Sequence, residues 1–445
     1  MVGTVFSGAF VLGYSSFEFY LSYLVFMAFI VIYVYYKGVF HFNRGFLFLL
    51  LYFAVVSFLC ITVFKSSSFL LLKQLLGISF SASAYYLLIK NNDYDVEGLF
   101  RLYLKFALLV AALGVFQEIS YLLNFQPGYD WKWFIPKSGL KGTTLFMFRI
   151  NSIMPEPSML AMILAPAVFV VLSNLFSKRK IYLSRLAGAI ILAAYFLTFS
   201  SVAYLGLIVG SLLILYQKGY LNIKRRKIVL MPVIIAILFI VFYSVYGSIP
   251  DIKSRVDAFV ALLNKPDQTL NFSTAMDRNA SVLILYSNVD TALNSVKKNP
   301  LFGSGLGTHA DNFDKYYGGL IEQAGQSGEL VQLRGWGLGV SKEDANSLFV
   351  RLLSETGIIG LSIVIWLLLK FFIKRKDPSA ALASDGVIYN LSVINNGIFL
   401  LIILRLIRFG HYFVDGLFFF AFIYYFTNKE YSRLAAAPDD RVAAT

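Results

Sequence analysis

The sequence predicts an all-α polytopic membrane protein, and three observations predict it. The chain is 58% hydrophobic and only 14% charged, with a mean hydropathy of +0.69, whereas about a quarter of the residues of a soluble domain are charged. Its apolar residues fall in blocks long enough to cross a bilayer core, which takes about 20 residues as helix. Lys/Arg runs flank those blocks at 177–180, 224–227 and 374–376, the pattern of cytoplasmic loops. A closed β-barrel would show short alternating segments instead.

In chain order the blocks give about eleven helical spans (roughly 10–12). They lie at 17–36, 46–64, 69–90, 99–124, 153–176, 181–199, 202–216, 228–246, 348–373, 388–404 and 412–427. The pair around Ser200 and Ser201 also reads as one long interrupted element. Residues 2–14 are apolar but short for a further span. The basic connections 37–44, 90–97, 177–180, 217–227 and 374–379 alternate. Placing them in the cytoplasm puts the N-terminus outside and the C-terminus inside.

Four regions follow: an N-terminal membrane bundle at 1–246 that includes an outer loop at 125–149, a large, partly helical periplasmic loop at 247–347, C-terminal membrane helices at 348–428, and a disordered cytoplasmic tail at 429–445. The large loop begins with helical-looking stretches at 251–264 and 278–298, and a Gly-rich stretch follows from Leu301 to Gly339. A connection of that size is usually functional. In the smaller outer loop, Trp131 and Trp133 read as interfacial anchors or as sugar-stacking platforms.

The net charge of +14 would suit nucleic acid. Its placement beside apolar blocks ties it to topology and membrane lipids instead, and no basic, aromatic-interleaved soluble module is present. Cys60, the single cysteine, lies in an apolar block, which excludes an internal disulfide or a thiol metal cluster. The N-terminus lacks a basic n-region and a small-residue cleavage site, so the first span is expected to be retained.

Three segments carry candidate chemistry. The first, Arg149-Ile-Asn-Ser-Ile-Met-Pro-Glu156-Pro-Ser158, puts an Arg and a Glu at the outer mouth of a span. Pro155 and Pro157 interrupt the helix and leave backbone groups for a ligand, or Glu156 only complements a helix start. The second, Asn299-Pro-Leu-Phe-Gly303-Ser-Gly305-Leu-Gly307-Thr-His309, has three alternate glycines that permit a tight path and close approach to a ligand. It is neither a Rossmann nor a P-loop pattern. The third, Asn346-Ser-Leu-Phe-Val-Arg351-Leu-Leu-Ser-Glu355-Thr-Gly357, opens the span after the large loop. Arg351 and Glu355, four apart, share a helix face. Glu355 lies about 14 Å in from Asn346, where an ionisable group faces the protein interior or a watery cavity. They form either a site or an internal ion pair that fixes packing.

The second and third segments together resemble the O-antigen polymerase and O-antigen ligase superfamily of bacterial inner-membrane proteins. "RINSIMPEPSMLA" and "LTFSSVAYLGL" are similar to it as well, so the resemblance runs from about Arg149 to Leu361. A GT-C-like architecture is one the layout fits. The resemblance implies glycosyl transfer at the periplasmic face. Polymerases move a glycan from undecaprenyl pyrophosphate onto the next lipid-linked repeat unit, and ligases move it onto the lipid A core. Chain-length regulators are implied partners. One departure stands out. Ligase-type members usually carry a His-Asn pair where this chain has Asn346-Ser347, and a shift of one register puts Ala345 at the His position. Polymerase is therefore favoured. The alternatives are a ligase, in which His309 or His411 substitutes, and a lipid-linked glycan flippase.

Such chemistry needs arginines for a pyrophosphate and a base for an acceptor hydroxyl. The expected substrate-binding residues are Arg149, Arg278, Arg334, Asn346, Arg351, Arg405, Arg408 and His411. Arg405 and Arg408 share a face, or they snorkel to the interface. Glu156 and Glu355 are the candidate bases. With no D-x-D pair in the outer loops, no metal or other cofactor is expected.

Overall fold

The computed structural model describes residues 2–11, 19–38, 44–64, 67–133, 135, 143–144, 147–176, 181–217, 280–326, 339, 341–374 and 385–436. The expected span at 228–246 and the first part of the large loop lie outside them. The helices are α1 (Leu21–Lys37), α2 (Arg44–Phe64), α3 (Ser68–Asn91), α4 (Val96–Leu122), the short α5 (Gln126–Tyr129), α6 (Pro157–Phe176), α7 (Arg185–Leu197) and α8 (Ser201–Gln217). After the first part of the large loop come α9 (Ala280–Lys298), α10 (His309–Gln326), α11 (Leu348–Lys370), α12 (Asp385–Arg408) and α13 (Leu417–Ala436). Among the described residues, α2, α3, α4, α6, α11 and α12 are long and apolar enough to cross a membrane, and α1, α7 and α8 are shorter apolar helices. The chain is an all-α multi-pass membrane protein. The described strands are one two-residue antiparallel pair, Thr143–Thr144 with Met147–Phe148.

Helix α6 is the buried axis. Every residue from Leu160 to Ser173 is buried, as expected of a helix that is hydrophobic all round. Pro166 sits inside it, and Gly397 of α12 comes so close that a Cβ there would lie 3.2 Å from the Pro166 carbonyl oxygen. Tyr103 of α4 donates to the Ile163 carbonyl at 2.6 Å. Gly188, near the start of α7, packs on Val171, while Gly210, midway along α8, packs on Leu172. The start of α7 and the middle of α8 thus lie at the same level of α6, and Gly206 of α8 packs on the Tyr195 hydroxyl late in α7. The chain turns back at Thr198–Ser200, so the segment is two separate apolar helices rather than one interrupted element.

Several boundaries differ from the sequence reading. Helix α6 starts at Pro157 rather than 153, because Pro157 takes the first helical turn, where its missing N–H costs nothing. The Met159 and Leu160 amides bond back to the Glu156 carbonyl, both at 3.1 Å. The two prolines therefore start a helix and do not interrupt one. Residues 2–6 form a 3-10 helix (Val2–Phe6) with Val5 and Phe6 buried and the Thr4 hydroxyl 2.6 Å from that of Tyr85. Helix α13 runs on to Ala436, past the expected start of the tail at 429. The Gly-rich stretch contains an 18-residue helix, α10. Its glycines at 318 and 319 face open space, while Phe313 and Tyr317, one turn apart, stack with centroids 5.0 Å apart. Trp131 is buried beside Ala9 and Ile135, whereas Trp133 is 77% exposed.

Candidate active site

Helix α11 breaks at Gly357, whose φ of 65° and ψ of −167° are not helical. A break at membrane depth leaves backbone groups that need partners. The glycine stretch supplies them in both directions. Its Ser304 and Gly305 amides donate to the Ser354 and Glu355 carbonyls at 3.1 and 2.8 Å, and the Ile358 and Ile359 amides donate to the Pro300 and Leu301 carbonyls at 2.9 and 3.1 Å. Gly303 (φ 68°) and Gly357 stand against each other: a Cβ on Gly303 would lie 2.6 Å from the Gly357 nitrogen. Gly305 (φ 104°) lies against Ile61 and the Ser57 carbonyl of α2, and Gly307 (φ 87°) against the Leu70 carbonyl of α3. The alternate glycines thus serve close approach to three helices. Ser57 Oγ accepts from the Leu306 amide at 3.0 Å.

One turn before the break sits a buried ion pair. Arg351 Nε donates to Glu355 Oε1 at 3.0 Å, and each residue is 1% exposed. The pair is knit to other elements. Arg351 Nη1 donates to the Gly410 carbonyl at 3.0 Å. The Tyr412 hydroxyl donates to Glu355 Oε2 at 2.7 Å, and its ring lies 4.3 Å from the guanidinium carbon. The His309 amide, at the start of α10, points at Glu355 Oε1 from 3.4 Å. Burial, then the Glu355 carboxylate, pushes the Tyr412 phenol up, so it stays a donor. The His309 ring meets Asn288 Oδ1 through Nε2 at 3.0 Å. Burial, helped by the Arg351 cation, pushes that imidazole down to about 3. Arg351 Nη2, His309 Nδ1 and Asn346 Nδ2 are buried and have no hydrogen-bond partner among the described residues.

The segment between α12 and α13 covers this group. Arg405, 0% exposed, turns its Nη2 to the carbonyls of His411 and Val414 at 2.9 and 2.5 Å. It holds a turn and does not snorkel. Gly410 packs on the Asp344 carbonyl, which any Cβ there would strike. Ser347 caps α11 by accepting from the Val350 amide at 3.2 Å, and its hydroxyl donates to the Leu406 carbonyl at 2.6 Å. Nearer the surface, His411 Nε2 faces Asp344 Oδ2 at 3.4 Å, with side chains 25% and 13% exposed. Between Asp344 and the cap, Ala345 and Asn346 are both left-handed (φ 57° and 54°).

Of the expected site residues, Asn346, Arg351, Glu355, Arg405 and His411 gather around residues 409–416. Glu156 is engaged locally, its Oε2 accepting from Ser158 at 3.0 Å. Arg149 lies at the 149–158 motif, next to Ile150, whose amide bonds to the Leu197 carbonyl at 3.2 Å. Arg408 is half-buried at the end of α12. Arg278 and Arg334 lie outside the described residues. Sequence reasoning missed Tyr412, Asp344 and Asn288. A tyrosine next to Gly-His, at the start of an apolar run, carries no signal of a contact 57 residues away. Among the described residues, no group of three or more His, Cys, Asp or Glu side chains is placed to hold a metal.

Residues 186–365 match a family model described as O-antigen ligase, which supports the O-antigen polymerase and ligase superfamily, a group of glycan-transferring membrane enzymes. The match starts at the second residue of α7 and ends inside α11. It takes in the glycine stretch and the Arg351–Glu355 pair and leaves out both the 149–158 motif and the 409–416 segment. No curated protein matches the chain.

Three outcomes are expected from this geometry. Gly303→Ala and Gly357→Ala each force a side chain into left-handed backbone and into a packed neighbour. Each should cost roughly 2–5 kcal/mol, read as a lower unfolding temperature of the detergent-solubilised protein. Glu355→Gln leaves the Arg351 charge buried without its partner and should cost about 3–5 kcal/mol, more than the double change Glu355→Gln with Arg351→Met. The third outcome concerns pH. An unfolded chain protonates His309 near its ordinary 6.5, the folded protein only at about 3. The unfolded state therefore binds more protons between these values, and stability falls as pH drops through that window. His309→Gln should flatten the thermal-stability profile between pH 7 and 5; an unchanged slope would discount the imidazole.

Proposed function

We propose that this member of the O-antigen polymerase and ligase superfamily polymerises undecaprenyl-pyrophosphate-linked oligosaccharide repeat units at the periplasmic face of the bacterial inner membrane. The observation that carries polymerase over ligase is at residues 345 and 346. The histidine that ligase-type members carry would fall on one of these two positions. Ala345 is fully buried against Ala292 and Val350, and Asn346 is 6% exposed. Packing at both supports a junction built without an imidazole.

In this reading Arg351 Nη2 and Asn346 Nδ2 receive the pyrophosphate, with Arg149, Arg278, Arg334 and Arg408 as further contacts. Buried, preoriented donors favour the charge that grows on a leaving group. Glu355 keeps Arg351 in place, and Arg405 shapes the cover over both. The acceptor sugar hydroxyl forms a bond to the donor's anomeric carbon as the bond from that carbon to the pyrophosphate oxygen breaks. The hydroxyl proton passes to His411, which faces Asp344, or to Glu156. No metal takes part, and a chain-length regulator is the expected protein partner. The match to an O-antigen ligase family favours a second reading, transfer of finished glycan to the lipid A core.

Deletion in the native host separates the two readings. A polymerase null leaves core capped by one repeat unit on a glycan gel, and a ligase null leaves bare core with lipid-linked polymer accumulating. Normal glycan lengths would sink both. With purified protein, Arg351→Lys should lower turnover by losing the bidentate fork, and His411→Gln should lower it roughly 10²–10⁴-fold if His411 is the base. Polymerisation that disappears with chelator and returns with Mg²⁺ would overturn the metal-free mechanism.

A further inference from the structure

A second built feature lies at the far end of the bundle from the Arg351–Glu355 group. A half-open cavity of about 550 Å³ opens between α4 and the start of α7, lined by Arg101, Leu104, Lys105, Leu108, Tyr182 and Ser184 among others. It is amphiphilic by construction. Arg101 and Lys105, four apart and so on one face of α4, are both exposed. Arg101 lies 5.1 Å over the Tyr182 ring, which fixes one cation at the rim. Glu97 takes one guanidinium nitrogen at 2.6 Å, while Lys105 makes no ion pair among the described residues. Ser184 caps α7 through the Ala187 amide at 3.1 Å, so the positive end of a 13-residue helix closes the same rim. One to two turns along α4, Leu104 and Leu108 line the cavity, and Leu186 is 72% exposed beside it.

We propose that this cavity binds an anionic phospholipid, with its phosphate between Arg101, Lys105 and the start of α7 and an acyl chain along Leu104 and Leu108. Arg101 stands about 8 Å and Lys105 about 14 Å along α4 from Val96, within snorkelling reach of a headgroup layer. The Lys/Arg bias of the neighbouring connections, 90–97 and 177–180, assigns that layer to the cytoplasmic leaflet. The lining favours an anion: it carries two cations, Arg101 and Lys105, and no carboxylate, with Glu97 and Asp95 acting on Arg101 from outside it, and the helix dipole has the same sign as the cations. The site does not rest on the glycosyl-transfer reading.

The test uses the full chain in detergent, with native mass spectrometry reading retained lipid. Phosphatidylglycerol should be retained and phosphatidylcholine not. Arg101→Gln with Lys105→Gln should weaken phosphatidylglycerol retention roughly thirtyfold, while Lys297→Gln, at an exposed cation of α9, should leave it unchanged. Soluble glycerol phosphate should compete poorly, since it lacks the chain. Equal retention of both lipids, or equal loss in the Lys297 variant, would overturn a specific site. Full competition by glycerol phosphate would overturn the acyl-chain half of the proposal. Unfolding temperature checks that the paired variant folds.

Discussion

A helix broken inside an apolar region must have its loose backbone groups met by protein, because the bilayer core has no water to meet them. The break at Gly357 imposes that demand, and the glycine stretch of the large loop answers it. Two carbonyls before the break and two amides after it are all bonded to residues 300–305. Those residues must then reach α11 closely, which calls for glycine at 303, and must also fit against α2 and α3, which calls for glycine at 305 and 307. One defect in one helix thus fixes where residues 300–309 lie.

The buried pair depends on the same docking. Two charges removed from water are tolerated only when their remaining valences are satisfied. Glu355 satisfies both its oxygens, toward Arg351 and the His309 amide on one side and Tyr412 on the other. His309 arrives there because the glycine stretch delivers the start of α10 to Glu355. Gly410 and Tyr412 arrive because Arg405 gathers the carbonyls of the turn that follows α12. Two arginines from different helices hold the same short segment, Arg351 from below and Arg405 from its base. Nη2 of Arg351 and Nε of Arg405 are then cationic donors without a described protein acceptor, and the proposed anion contact falls on the first of them.

Periodicity and charge bias made the membrane helices legible, because hydropathy is a property of contiguous residues. The two motifs were legible as motifs, and their order was enough to suggest a family. Their relation was not: nothing in "NPLFGSGLGT" says that its glycines face helices rather than a ligand, since both uses demand positive φ and no side chain. Helix α10 was hidden by its glycines, although Phe313 and Tyr317 stand at helical spacing within it. Arg405 and Arg408 share a face in sequence, yet the first is buried in carbonyls and the second half-buried at the helix end. Only the path of 409–416 distinguishes them.

The absent histidine has a firmer physical basis than a register comparison provides. In sequence it is a letter that differs from a pattern, and either of two alignments is open. In the fold both positions lie under the 409–416 cover, with left-handed backbone at each, between the Asp344 that faces His411 and the Ser347 that caps α11. An imidazole at 345 would have to displace Ala292 and Val350. This junction has thus given up space for a ring in exchange for a closed seam between α9, α11 and the α12–α13 turn. The nearest imidazoles come from other elements, His309 beneath the seam and His411 at its edge. His309 is locked neutral against Asn288, whereas His411 is partly exposed and faces a carboxylate. Of these imidazoles, the one the fold leaves open at the seam's edge is the one that the motif does not contain.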